Sequence, residues 1–212
     1  MVRVDPLISL LKGRRDVVEF LAKGFKALSD VIKTPDIGMR RQELFIATLR
    51  RLGIIEEAEE QLKREVDFYL KTDQGLKPYS LKTMKDVGII KIAWNGFPSR
   101  ERVESFRFTC PIVYITGKGI YVFELEDIES VKEEMGFDDF WWIPGGTTNP
   151  RGFGISKGAV EKLIERAESK GNYIPLREIS AEIRREDYLE AFYEMVKRLV
   201  EKIDERERRL GD

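Results

Sequence analysis

The sequence predicts an α+β fold: an N-terminal helical bundle, then a small antiparallel β-sheet with flanking helices and a long C-terminal helix. Three patterns carry that expectation. Apolar residues recur every three or four positions up to about residue 72, fall into short β-branched and aromatic runs beyond about 79, and return to helical spacing from about 187. The reading divides the chain into a helical domain at 1–72 and an α+β domain at 79–212, with a linker at about 73–78.

A short helix is expected from Pro6 to Leu11. From Arg15 to Ile32, Val17, Val18, Leu21, Phe25, Leu28 and Ile32 form one apolar stripe. Thr34, Pro35 and Asp36 stop and restart the chain, and Leu44, Phe45, Ala47, Leu49 and Leu52 continue helically to Gly53. Ile55, Ala58, Leu62, Val66 and Tyr69 predict one more helix, with Glu59–Lys63 and Glu60–Arg64 pairs outside.

The period then changes. Gly88–Trp94, Ser105–Cys110, Ile112–Ile115 and Ile120–Leu125 read as strands of a three- or four-stranded antiparallel sheet, with Thr116-Gly117-Lys118-Gly119 as a hairpin turn. An acidic helix follows around Ile128–Met135, then Phe140-Trp141-Trp142-Ile143 and a loop from Pro144 to Gly154. Ser156 is placed to cap a helix through Ala167. Tyr173–Ile179 reads as a strand or extended segment, and a helix from about Asp187 to Arg209 closes the chain. On that last helix Leu189, Phe192, Val196, Leu199 and Ile203 form a stripe widened by Tyr193 and Val200. Such a stripe suits docking on the chain's own sheet or, alternatively, a homodimer seam.

Composition narrows the chemistry. The 212 residues are 35% charged and 42% hydrophobic, which suits a globular protein rather than a disordered or membrane one. No apolar run approaches the length of a spanning helix and none opens the chain as a secretory signal, so a cytoplasmic location and no membrane partner are expected. There is no histidine and only one cysteine, Cys110. That excludes His-based nucleophile systems, imidazole zinc sites, intramolecular disulfides and four-cysteine clusters. Cys110, in an apolar strand context, reads as a buried thiol.

The net charge of −1 conceals segregation: residues 1–55 carry +5, 72–118 carry +4 and 119–139 carry −7. Arg40, Arg41, Arg50 and Arg51 follow the restart at Thr34 to Gly38, on the second of two helices joined by a short turn, where arginines can meet phosphates. A solvated polar face of a helical pair has the same signature. The Gly-rich stretch from Pro144 to Gly158 runs into a helix start, which favours an anion. Arg151 and Lys157 can supply charge there, and Trp142 and Phe153 can stack on a base. It lacks the spacing of a Walker A loop or dinucleotide fingerprint, and a long connection anchored by its Trp pair is the plainer alternative. Glu124 and Glu126, placed on one face by strand alternation, are candidates for a magnesium ion. No lysine follows two residues after either, and an acidic solvent-facing edge that discourages strand pairing is the simpler account.

These features read as a non-catalytic nucleic-acid-associated or phosphate-binding accessory protein that needs no cofactor. The alternatives are a carboxylate-based, metal-dependent enzyme acting on phosphate esters and a protein-interaction module assembling through the terminal helix. Only three Asn and three Gln accompany 37 basic and 38 acidic residues, a composition resembling hyperthermophile proteins. The expected thermal midpoint therefore lies above the mesophile range of about 45–65 °C, which a calorimetric scan checks.

Overall fold

The computed structural model describes residues 4–31, 37–57, 65–93, 99–145 and 152–176. Three helices come first: α1 (Pro6–Lys12), α2 (Arg15–Val31) and α3 (Ile37–Arg51). Asp5 caps α1 with Pro6 in its first turn, and Gly53, at φ 69°, follows the end of α3. The strands are β1 (Ile55–Glu57), β2 (Phe68–Thr72), β3 (Gly75–Thr83), β4 (Ile90–Ala93), β5 (Ile112–Ile115), β6 (Gly119–Phe123), β7 (Trp141–Trp142), β8 (Phe153–Ile155) and β9 (Tyr173–Pro175). Among them lie α4 (Arg100–Glu104), α5 (Leu125–Phe140) and α6 (Lys157–Ser169).

The architecture corrects the expected fold class. Instead of a helical bundle beside a small antiparallel sheet, one six-stranded mixed sheet runs β1-β2-β3-β5-β6-β9, and β3 pairs with β5 in parallel. A second, three-stranded sheet runs β4-β8-β7. The helices α1 to α3 cover one face of the large sheet. Leu7, Leu11, Leu21, Phe45 and Leu49 meet Tyr79, Leu81, Val113, Ile115, Ile120 and Val122 there. The other face presents Ile112, Tyr114, Tyr121 and Phe123 to α5, α6 and the small sheet through Ile128, Val131, Val160 and Leu163. Both faces of β5 and β6 are thus buried, which is why those runs are continuously apolar. Burial of each such side chain contributes roughly 1.5–3 kcal/mol.

Two elements differ from expectation for identifiable reasons. The two ends of the helix expected through Ile55 to Tyr69 are strands at the edge of the sheet, β1 and β2, while Ala58 and Leu62 lie outside the described residues: Ile55, Phe68 and Leu70 are buried, Glu56 is exposed and Tyr69 half-buried, a period of two. Short apolar runs satisfy either period until tertiary pairing decides. The strand expected at Ser105–Cys110 is absent because Phe106 and Phe108 leave the chain to join an aromatic group with Phe140, Trp141 and Phe153, ring centroids 4.9–6.4 Å apart. The stretch Lys71–Pro78 is a hairpin, turning at Asp73 and Gln74 with Thr72 opposite Gly75. The turn at 116–119 and the Ser156 cap, whose Oγ accepts from the Ala159 N–H at 3.2 Å, form as expected. Leu189, Phe192, Val196, Leu199 and Ile203 lie outside the described residues. Among those described, no helix is long and apolar enough to cross a membrane.

Gly154 lies so close to β4 that an added Cβ would run into the Ile90 carbonyl. Gly154→Ala is expected to loosen the small sheet and cost on the order of 1–3 kcal/mol, read from urea unfolding.

Candidate functional site

At the end of the large sheet where β6 enters α5, a cleft of about 1080 Å³ opens between the N-terminus of α1, the β2–β3 hairpin and the turn after α6. Its centre is a carboxylate–lysine group. Asp5 is 1% exposed, because capping α1 draws its side chain inward. One oxygen accepts from the Leu7 N–H at 2.8 Å, the Tyr79 hydroxyl donates at 2.8 Å, and the Lys77 ammonium donates at 2.6 Å. The Asp5 N–H in turn donates to Asn172 Oδ1 at 2.7 Å. Lys77 also reaches Glu124 Oε1 at 3.1 Å.

Lys77 and Tyr79 are two residues apart on β3 and so lie on the same side of the strand; Glu124 is the first residue after β6. Burial, and then the bond and charge of Asp5, push the Glu124 carboxyl up to about 7, with Lys77 opposing. Burial works against the Lys77 ammonium too, but Asp5 and Glu124 outweigh it and hold it above its usual value. Burial and the nearby Asp5 charge raise the Tyr79 phenol well above its usual value. A carboxyl poised near neutrality beside a fixed ammonium in an open cleft can exchange a proton with a bound molecule.

Beside the cleft, Lys170 pairs with Glu126 at 3.0 Å and with the buried Asp127 at 2.7 Å. Glu126 belongs to the first turn of α5 rather than to a strand, so the expected alternation with Glu124 does not hold. Each glutamate is bonded to its own lysine, and a cation bridging them would have to displace both ammonium groups. Among the described residues, no group of three His, Cys, Asp or Glu side chains is arranged to hold a metal ion.

The other residues singled out from sequence scatter. Arg40 is exposed and paired with Glu43 at 2.7 Å. Arg41 turns inward, 4% exposed, and donates to the Met84 carbonyl at 2.9 Å. Arg50 and Arg51 are exposed at the end of α3. Trp142 is half-buried beneath the Lys91 ammonium, 5.5 Å from the ring centroid. Phe153, 2% exposed, is packed in the aromatic group and presents no face to a base. Lys157 is exposed and lies 3.6 Å from Glu161. Arg151 is outside the described residues. Cys110 is buried, its Sγ 3.6 Å from the Glu65 carbonyl, and burial with Glu65 nearby pushes its thiol up to about 11.

Sequence reasoning overlooked Asp5, Lys77 and Tyr79. Asp5-Pro6 carries a readable helix-start signature, but nothing local in Lys77-Pro78-Tyr79 announces a partner more than forty residues away.

The raised Glu124 pKa has a definite sign in stability. The folded state binds this proton more tightly than the unfolded chain, so stability falls as pH rises from the ordinary carboxyl range to about 7. Glu124→Gln is expected to remove that decline, on the order of 1–3 kcal/mol, in denaturant titrations between about pH 4.5 and pH 7.5.

Comparison with known proteins adds a likeness of fold. No protein-family model and no curated protein matches the chain. A solved structure of a restriction endonuclease in complex with substrate DNA is similar to it, with a TM-score of 0.59 and 21% identity, covering 81% of this chain and 88% of that one.

Proposed function

We propose that the chain is a nucleic-acid-associated protein. The observation that carries this reading is the likeness of fold, over most of both chains, to an endonuclease bound to DNA. The exposed Arg40, Arg50 and Arg51 of α3 support it, since arginines at the surface supply the electrostatic part of phosphate recognition. Phe153 plays no stacking role in this reading, because its ring is inside. Trp142 remains a candidate platform, with Lys91 on its ring.

The Asp5–Lys77–Glu124 cleft favours a second reading, hydrolysis of a phosphate ester. In it the Glu124 carboxylate takes a proton from water as the water oxygen bonds to phosphorus. The bond to the leaving oxygen breaks, and the Lys77 ammonium offsets the charge that develops. No lysine follows two residues after Glu124; here the lysine comes from β3, which β5 separates from β6 in the sheet.

Titration of labelled single-stranded and duplex oligonucleotides by anisotropy tests the first reading. Affinity is expected to fall steeply with salt, and neutralising Arg40, Arg50 and Arg51 together is expected to flatten the log–log slope by about 2 to 3. No binding up to about 10⁻⁴ M at low salt sinks it. Cleavage of the same substrates, with and without magnesium, tests the second. Activity there is expected to fall by at least about 10²-fold in Glu124→Gln and in Lys77→Met while oligonucleotide binding persists.

A further inference from the structure

A second cavity, of about 250 Å³, lies at the opposite end of the sheet, where the β5–β6 turn meets α2 and α3. Its cationic lining is Lys26, Arg41, Lys85 and Lys118, from four separate parts of the chain, and Asp86 is the acidic side chain beside them. Arg41 is the decisive member. It is 4% exposed, its guanidinium donates to the Met84 carbonyl and the Ser29 hydroxyl, and its Nε–H has no partner among the described residues. No carboxylate among the described residues lies within ion-pair distance of it; Asp86 acts on it only through longer-range attraction.

A buried guanidinium held by neutral acceptors is costly unless something neutralises it. Lys85 and Lys118 stand exposed at the mouth, and among the described residues neither ammonium makes an ion pair. The turn itself is fixed: Gly117 N–H donates to the Lys85 carbonyl at 3.0 Å, and Lys118 N–H to Thr116 Oγ1 at 3.1 Å. Lys85 and Lys118 are therefore carried on adjoining, mutually bonded backbone. The geometry points to an oxyanion site in this cavity, one that receives a phosphate group between Arg41 and the lysines at the mouth. The phosphate is either a free one or part of a nucleic-acid backbone, and in the latter case the site deepens the nucleic-acid reading and rests on it.

The test uses the whole chain and the double variant Lys85→Gln/Lys118→Gln, whose positions are exposed and leave the buried Arg41 in place. The thermal midpoint is followed against sodium phosphate and against sodium chloride of equal ionic strength. The expected result is a phosphate-specific rise in the wild type that shrinks by more than half in the double variant. General salting effects stabilise both proteins alike and are removed by that comparison. Arg41→Gln, where circular dichroism shows it folded, is expected to abolish the rise. Equal shifts in wild type and double variant, or no shift beyond that of chloride, overturn the site.

Oligonucleotide titration then separates the sources. If the phosphate belongs to a backbone, the double variant binds about tenfold more weakly at low salt and its salt slope falls by about 2. If the phosphate-specific rise depends on the pocket while oligonucleotides do not bind, the site stands for a free phosphate and the nucleic-acid reading fails. If oligonucleotides bind both proteins equally and no phosphate-specific rise is seen, the nucleic-acid reading stands and the site fails.

Discussion

The buried carboxylate of Asp5 is the constraint on which the arrangement of one end of the molecule depends. Four pieces of chain converge on this residue: the start of α1 through the Leu7 N–H, β3 through Lys77 and Tyr79, the turn after α6 through Asn172, and the start of α5 through the lysine shared with Glu124. An oxygen-rich group placed out of water has to be satisfied by donors whose positions are then no longer free. Tyr79 answers both needs at once. Its hydroxyl meets Asp5 while its ring stacks on Phe68 at 5.3 Å, so the polar hub and the apolar core are joined by one side chain. The cleft is a consequence of this hub: Lys77 and Glu124 stand at its edge because Asp5 already occupies its interior.

The same sheet carries two cores because its central strands are buried on both faces. In β5, Ile112 and Tyr114 point one way and Val113 and Ile115 the other, and β6 repeats the alternation with Tyr121 and Phe123 against Ile120 and Val122. The parallel pairing of β3 with β5 becomes possible because residues 84–111 cross over between them, carrying β4 and α4. Crossings of this kind leave no trace in hydrophobic periodicity. A reading that follows the chain strand by strand therefore tends toward hairpins.

What the sequence made legible follows the range of the interactions concerned. The helices α1, α2, α3 and α6, the 116–119 turn and the cap at Ser156 depend on residues within a few positions and formed close to where local chemistry placed them, while the stop and restart at Thr34, Pro35 and Asp36 lies outside the described residues. The described ends of the segment expected as a helix were misread because Ile55, Val66 and Tyr69 satisfy helical spacing by coincidence, and only the pairing of β1 with β2 and of β2 with β3 reveals period two. At the site, Glu124 was noticed for its charge, but its partners were not. Asp5, Lys77 and Asn172 come within reach of one another only after the sheet and α6 have assembled. Phe153 failed as a stacking candidate for a related reason: an aromatic beside glycines looks available until the rings of Phe106 and Trp141 packed against it are known.

The adjacent pair Arg40-Arg41 shows how a single turn of helix divides a sequence feature that looks uniform. Successive residues on a helix point about 100° apart, so one arginine of the pair meets solvent and Glu43 while the other meets Ser29 and the chain after β3. The basic excess of the N-terminal segment is therefore not one surface. Part of it is spent outside α3, and part is carried inward to the end of the sheet where Lys85 and Lys118 also stand. From Lys77 to Thr83 the strand β3 rises roughly 20 Å, and over that distance the character of the lining inverts. Asp5, Asp73, Glu124 and Glu126 mark one end, and Lys26, Arg41, Lys85 and Lys118 mark the other. A polyanion approaching this chain is attracted at the second end and repelled at the first, save where Lys77 and Lys170 offset the carboxylates. The polarity of the sheet, more than the net charge of −1, governs how such a ligand would be oriented.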